Sequence, residues 1–186
     1  MSRLQHTREA VLAALVVVVA LGALGCRPTS APAETSVVHA YGKVAAGTSV
    51  FARVPAVANL DPELLRALRA AGAEAARDGV DLGVNSGWRS ARYQQHLFED
   101  AAERFGSDEE AERWVARPGT SVHEAGDAVD VGPSSAAAWL AEHGAAFGLC
   151  RIYRNEPWHY ELRAAAVAEG CPPPYADPTE DPRMQQ

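Results

Sequence analysis

The sequence predicts one α+β domain, with helices packed around a small sheet. Helical segments with apolar residues three and four apart are mixed with short runs that alternate as strands do. Their order along the chain does not call for a parallel sheet. At 186 residues, 47% apolar and 22% charged, the chain is long enough for one proper core plus tails.

The segment "LDPELLRALRAAGAEAARDGV" opens with Asp61 as N-cap, Pro62 at the first helical position and Glu63 in the first turn. Leu64, Leu65, Leu68 and Ala71 line one face, and Gly79 is the expected stop. "VDLGVNSG" reads as a strand with Val80, Leu82 and Val84 on one side. "SARYQQHLFEDAAERFG" is a second helix ending at Gly106, and "SDEEAERWVAR" a short third one capped by Ser107. "SSAAAWLAEHGAAFG" is a fourth helix or a helix and turn, while "LCRIY" and "WHYEL" read as short strands. No internal repeat is visible.

The formal charge of −7, with no long basic block, argues against nucleic acid as a partner. Arg3 and Arg8 precede an apolar run from Ala10 to Gly25, 16 residues long and short for a membrane-spanning helix. A basic head, a short apolar middle and small residues at the end describe a secretory signal over residues 1–25. Cys26, closing "LGALGC", resembles the acylated cysteine of a bacterial lipobox, with Ala23 where leucine is usual. The expected routes are a lipid-anchored, a freely secreted or an uncleaved, anchored chain, all outside the cytoplasm. Any membrane contact would then be through this N-terminus.

Residues 26–37 form a polar, Pro-containing tether, the folded domain is expected over 38–171, and 172–186 read as a disordered, Pro-rich, acidic tail. With Cys26 acylated, Cys150 and Cys171 remain to pair in an oxidising compartment. The alternative is a buried thiol at Cys150 and an exposed one at Cys171.

"TSVHEAGDAVDVG" places His123 and Asp130 on either side of Gly126. Gly126 and the β-leaning residues after it oppose a continuous helix. The segment therefore reads as a loop carrying His123 that turns at Gly126 into a strand carrying Asp130. Val129 and Val131 would face the core and Asp130 the other way. His159 in "NEPWHYEL" is the third candidate ligand, on a strand that turns Trp158 and Tyr160 to the opposite face. Two nitrogens and one oxygen with a fourth position open is the donor set of catalytic zinc, one ion per chain. An unpaired buried carboxylate flanked by valines is costly, and a metal is one of the few things that would keep it charged there. Glu156, three residues before His159, is placed to move protons.

"SVHEAGDAVD" resembles the S-x-H-x-x-G-x-A-x-D signature of VanY-type D-alanyl-D-alanine carboxypeptidases. "EPWHYEL" is similar to the E-x-W-H that follows in that family, and "SGWRSARYQQHLF" to its upstream G-[YWF]-R-S-x-x-x-Q segment. "ARPGTS" fits as well, and the resemblance runs from about Leu60 to Leu162 in family order. It implies the small mainly antiparallel sheet of the hedgehog/D,D-peptidase fold. It also implies His123, Asp130 and His159 as zinc ligands and Glu156 as catalytic base. Arg89 would stabilise the developing oxyanion or grip substrate. Ser121, Gln94 and Ser90 match positions contacting the peptide, although Ser90 serves equally as a helix cap. Trp158 is a pocket wall, core residue or substrate contact. Glu161 either supports a ligand histidine or is solvated. His39, His96 and His143 match nothing and read as surface residues.

The resemblance therefore implies a zinc peptidase releasing terminal D-alanine from peptidoglycan stem peptides. An L-alanyl-D-glutamate endopeptidase is the alternative within the class. A wall-binding module without chemistry would be expected to lack Glu156 or Arg89, and both are present.

Overall fold

A computed structural model describes residues 40–185. The signal-like segment, Cys26, the tether and His39 lie outside the described residues. In chain order the elements are β1 (Thr48–Ser49), α1 (Pro55–Ala58), α2 (Pro62–Arg77), β2 (Gly83–Ser86), α3 (Ala91–Phe105) and α4 (Asp108–Ala111). Then come α5 (Val122–Ala125), β3 (Ala128–Gly132), α6 (Ser134–His143), β4 (Leu149–Arg151), β5 (His159–Leu162) and α7 (Ala166–Glu169). The five strands form one sheet of order β1-β2-β3-β5-β4, every neighbouring pair antiparallel.

Helix α2 starts where its sequence says it should, because Asp61 accepts hydrogen bonds from the backbone N–H groups of Glu63 and Leu64 at 2.8 and 3.1 Å. Its stripe of Leu64, Leu68, Ala71 and Ala75 joins Ala136, Ala137, Trp139 and Leu140 of α6 in one core cluster. Val84, Val129, Val131 and Tyr160 complete that cluster from the sheet. Truncating Leu64 or Leu68, both fully buried, would cost about 2–5 kcal/mol. Because side chains alternate along a strand, burying these four residues leaves Asp130, His159 and Glu161 on the opposite face.

The register across β3 and β5 sets Asp130 directly opposite His159. On the other side of β3, Val84 pairs with Val131, but Ser86 pairs with Asp130. The unpaired Asn85 between them is a bulge, which turns Ser86 to the Asp130 side while Val84 stays in the core. The strand expected from Val80 is shorter, starting at Gly83. Its partner β1 offers only two residues for pairing.

His123 lies in one helical turn rather than in an open loop. Gly126, at φ 84°, terminates that turn, with Gly126 N–H bonded to His123 O and Asp127 N–H to Val122 O. Only glycine suits the site, since a Cβ would also meet Asn59 O at 2.5 Å. The fourth predicted helix resolves into α6 followed by a 3-10 turn at Gly144–Phe147. The third shrinks to the four residues of α4, capped by Ser107 as expected.

The disulfide between Cys150 and Cys171 is present. The C-terminal segment departs from expectation, for it is packed rather than disordered up to its last described residue. Tyr175 bridges to Tyr153 alongside the chain, with Tyr175 N–H bonded to Ile152 O and Arg154 N–H to Tyr175 O. Pro178–Glu180 and Pro182–Gln185 are 3-10 turns, and Asp177 and Asp181 are buried. Pairing accounts for this: Arg113 reaches Asp177 at 3.1 Å, and the Tyr153 hydroxyl donates to Asp181 at 3.0 Å. Proline and acidic content alone gave no hint of partners so distant in sequence.

The bridge closes a separation of 21 residues and anchors the start of this packed segment to β4. Reducing it should destabilise the chain by about 2–4 kcal/mol and lower the melting temperature by about 5–15 °C. Thermal unfolding with and without reductant, alongside non-reducing peptide mapping, checks this.

Candidate metal centre

Three buried donors meet at one point on the sheet face opposite the core. His123 Nε2 and His159 Nδ1 are 3.3 Å apart. Asp130 Oδ1 lies 3.5 Å from the first and 3.3 Å from the second. The other ring nitrogen of each histidine identifies its tautomer. His123 Nδ1 is 2.8 Å from Gly87 O, which can only accept, so Nδ1 carries the proton and Nε2 a lone pair. His159 Nε2 is 3.2 Å from Glu161 Oε1 and donates to that carboxylate, leaving Nδ1 with its lone pair.

Three lone-pair atoms thus face one another, and Asp130 Oδ1 is a buried oxygen without a hydrogen-bond partner. A cation resolves that conflict. Tetrahedral coordination with bonds of about 2.0–2.1 Å sets donors about 3.4 Å apart, as these are. Each donor residue is also held from behind, since Asp130 Oδ2 accepts from Arg89 at 2.7 Å. The electrostatics without a cation point the same way. Burial pushes the His123 imidazole down. That keeps the His123 ring in its neutral form, the form in which Nε2 can act as a donor to a cation.

Glu156 Oε2 lies 3.6 Å from His159 Nδ1, beside the donor triangle but outside it. Burial foremost, and Asp130 nearby, push its carboxyl up to about 7, against the pull of His159 and Arg89. A carboxyl poised there exchanges protons readily near neutral pH. Arg89 donates to Ser86 Oγ at 2.8 Å, Gln94 Oε1 at 3.1 Å and Asp130. Three of its five N–H groups are engaged, so two stay available to a ligand.

Gln94 is fully buried, donates to Ala116 O at 2.7 Å and accepts from Arg89. It orients the arginine and does not line the cleft. The Ser90 hydroxyl accepts from Tyr93 N–H as a helix cap and is likewise absent from the cleft lining. Ser121 and Trp158 do line it, the indole 39% exposed. Around the donors the cleft is about 170 Å³, walled also by Trp114, Tyr153, Pro178 and Met184. A larger hollow of about 560 Å³ between Tyr41, Arg92 and Tyr93 contains none of these groups, so we assign it no part in the chemistry. His96 and His143 stay peripheral, His96 beside Asp100 at 3.5 Å and His143 against the Trp139 ring.

Sequence reasoning did not find Ser86, Trp114 or Met184, and it met Gly87 only as the glycine of the G-[YWF]-R-S segment, with no role assigned. Ser86 stands just ahead of that segment, and its proximity to Arg89 was the only available signal.

The profile of the VanY D-alanyl-D-alanine carboxypeptidase family matches residues 57–165. A D-alanyl-D-alanine carboxypeptidase of Enterococcus faecalis is 35% identical over 113 residues, covering 47% of this chain and 42% of that enzyme. The chain therefore spans less than half the length of that curated relative. A vancomycin-resistance D,D-pentapeptidase VanY from a VanB-type cassette, solved as a variant in complex with Zn(II), superposes with TM-score 0.55. It is 30% identical and covers 58% of this chain and 76% of its own. A second structure, VanYB in complex with D-alanine-D-alanine, has TM-score 0.55 and 29% identity, covering 60% and 74%.

Dialysed wild-type chain should retain about one divalent ion per molecule, whereas the His123→Ala, His159→Ala double variant should retain almost none. Elemental analysis decides, and undiminished metal in the double variant would place the site elsewhere.

Proposed function

This chain belongs to the VanY family of D-alanyl-D-alanine carboxypeptidases, and from that premise we propose that it is a zinc-dependent peptidase releasing terminal D-alanine from peptidoglycan stem peptides. The observation that carries this reading is the triangle of His123 Nε2, His159 Nδ1 and the unpartnered Asp130 Oδ1, with the Glu156 carboxylate alongside. The donor set suits zinc, and the two solved relatives hold Zn(II) and D-alanine-D-alanine respectively. When bound, zinc polarises the scissile carbonyl and makes water nucleophilic.

The remaining work falls to the chain. Glu156, its carboxyl kept out of water, takes a proton from the attacking water and gives it to the departing amine nitrogen as the C–N bond breaks. The two free N–H groups of Arg89 offer fixed positive charge to the oxyanion or to a substrate carboxylate. Gln94 and Ser86 hold that guanidinium in place. Ser121 and the exposed face of Trp158 offer the peptide a hydroxyl and an apolar wall.

A wall-peptide substrate places the enzyme outside the cytoplasm, in accord with the signal-like N-terminus and the Cys150–Cys171 bridge. Lipid attachment at Cys26 is the proposed anchor. Among the described residues no helix is long and apolar enough to cross a membrane.

Glu156→Gln should leave zinc content and folding near wild type while turnover falls about 10²–10⁴-fold. Mass spectrometry of stem pentapeptide products tests the reading. Loss of one terminal D-alanine supports it, an internal cut between L-alanine and D-glutamate favours the endopeptidase, and binding without cleavage favours a wall-binding module.

A further inference from the structure

The segment that follows the disulfide lies beyond residues 57–165, the span matched by the family, yet it reaches the metal centre. Glu161, whose Oε1 holds His159, is 1% exposed and carries a buried charge. Arg183 Nη1 donates to Glu161 Oε2 at 2.7 Å and Nη2 to Oε1 at 3.1 Å, a two-pronged grip. Arg163 adds a third bond at 2.7 Å, to Oε2. Arg183 is itself fixed by Asp181, which accepts from its backbone N–H and from its Nε, both at 3.0 Å. Asp181 is fully buried and also accepts from Tyr153, whose ring packs against His159 with centroids 4.9 Å apart. From the same segment, Pro178 and Met184 form part of the cleft wall.

We infer that residues 172–185 are a strap belonging to the metal site, and that Arg183 is a positioning residue acting on His159 through Glu161. The paired guanidinium fixes the plane of the Glu161 carboxylate. That carboxylate fixes the His159 ring and keeps its proton on Nε2, so the Nδ1 lone pair faces Asp130 Oδ1 and His123 Nε2. Loss of the grip frees the carboxylate to rotate and the imidazole with it. The inference rests on the zinc-peptidase reading and adds to it a determinant that the three sequence motifs do not contain.

The test measures the zinc dissociation constant by chelator competition on the full chain, together with metal-free melting temperature. Arg183→Ala should weaken zinc binding about 10–100-fold. Arg183→Lys keeps the charge and loses the paired fork, and should fall between that variant and wild type. A lowered melting temperature with wild-type zinc affinity in Arg183→Ala would make the strap merely structural and overturn the inference. Should Arg183→Ala not fold, Arg183→Lys decides alone: weakened zinc binding supports the inference and wild-type affinity overturns it. Failure of the peptidase reading looks different, as a wild-type chain without tight zinc or a Glu156→Gln variant with full turnover.

Discussion

A carboxylate buried between two imidazole lone pairs is the constraint on which the site depends. Asp130 Oδ1 has no hydrogen-bond donor, and the two nitrogens nearest it have their protons committed elsewhere, to Gly87 and Glu161. Such an arrangement is unfavourable alone and favourable around a cation, because desolvated like-signed lone pairs lose water and gain nothing until positive charge enters. The surrounding fold keeps the three donors from relaxing apart.

It does so from the other side of the sheet. Val129, Val131 and Tyr160 are locked into the core with α2 and α6, so a slip of one residue between β3 and β5 would turn one of the two strands over and bury its polar side chain in the core. Apolar packing on one face thereby fixes polar geometry on the other. The bulge at Asn85 extends the row to Ser86, which receives Arg89, and Arg89 in turn holds the second oxygen of Asp130. Rigid strands supply two of the donors, and a single helical turn closed by Gly126 supplies the third.

Charge is handled by pairing throughout. Glu161 is buried, and burial opposes its ionisation, yet His159, Arg183 and Arg163 hold its carboxyl well below the usual range. Asp181 and Arg183 form a second pair on the same side, tied by Tyr153. Chain beyond the disulfide thus contributes to the environment of His159, although its own sequence is short, proline-rich and without apolar periodicity.

Local patterns determined much of this in advance. The caps at Asp61, Ser90 and Ser107, the stop at Gly106 and the alternation around Asp130 are short-range effects, and they stand where the residues place them. His123, Asp130 and His159 were legible as a set through the resemblance of their motifs to the VanY-type signature, each of the three being a weak signal alone. Other features depend on contacts between segments far apart in sequence, which no local pattern encodes. The Asn85 bulge follows from pairing with β3, the turning of Gln94 from cleft to Arg89 follows from the bond to Ala116 O, and the order of the C-terminal segment follows from Arg113, Tyr153 and Glu161. Sequence alone named the donors and most of the elements. Tertiary structure decided which polar side chains face the cleft and which stand behind it, because that choice belongs to whichever partner three-dimensional packing brings within reach.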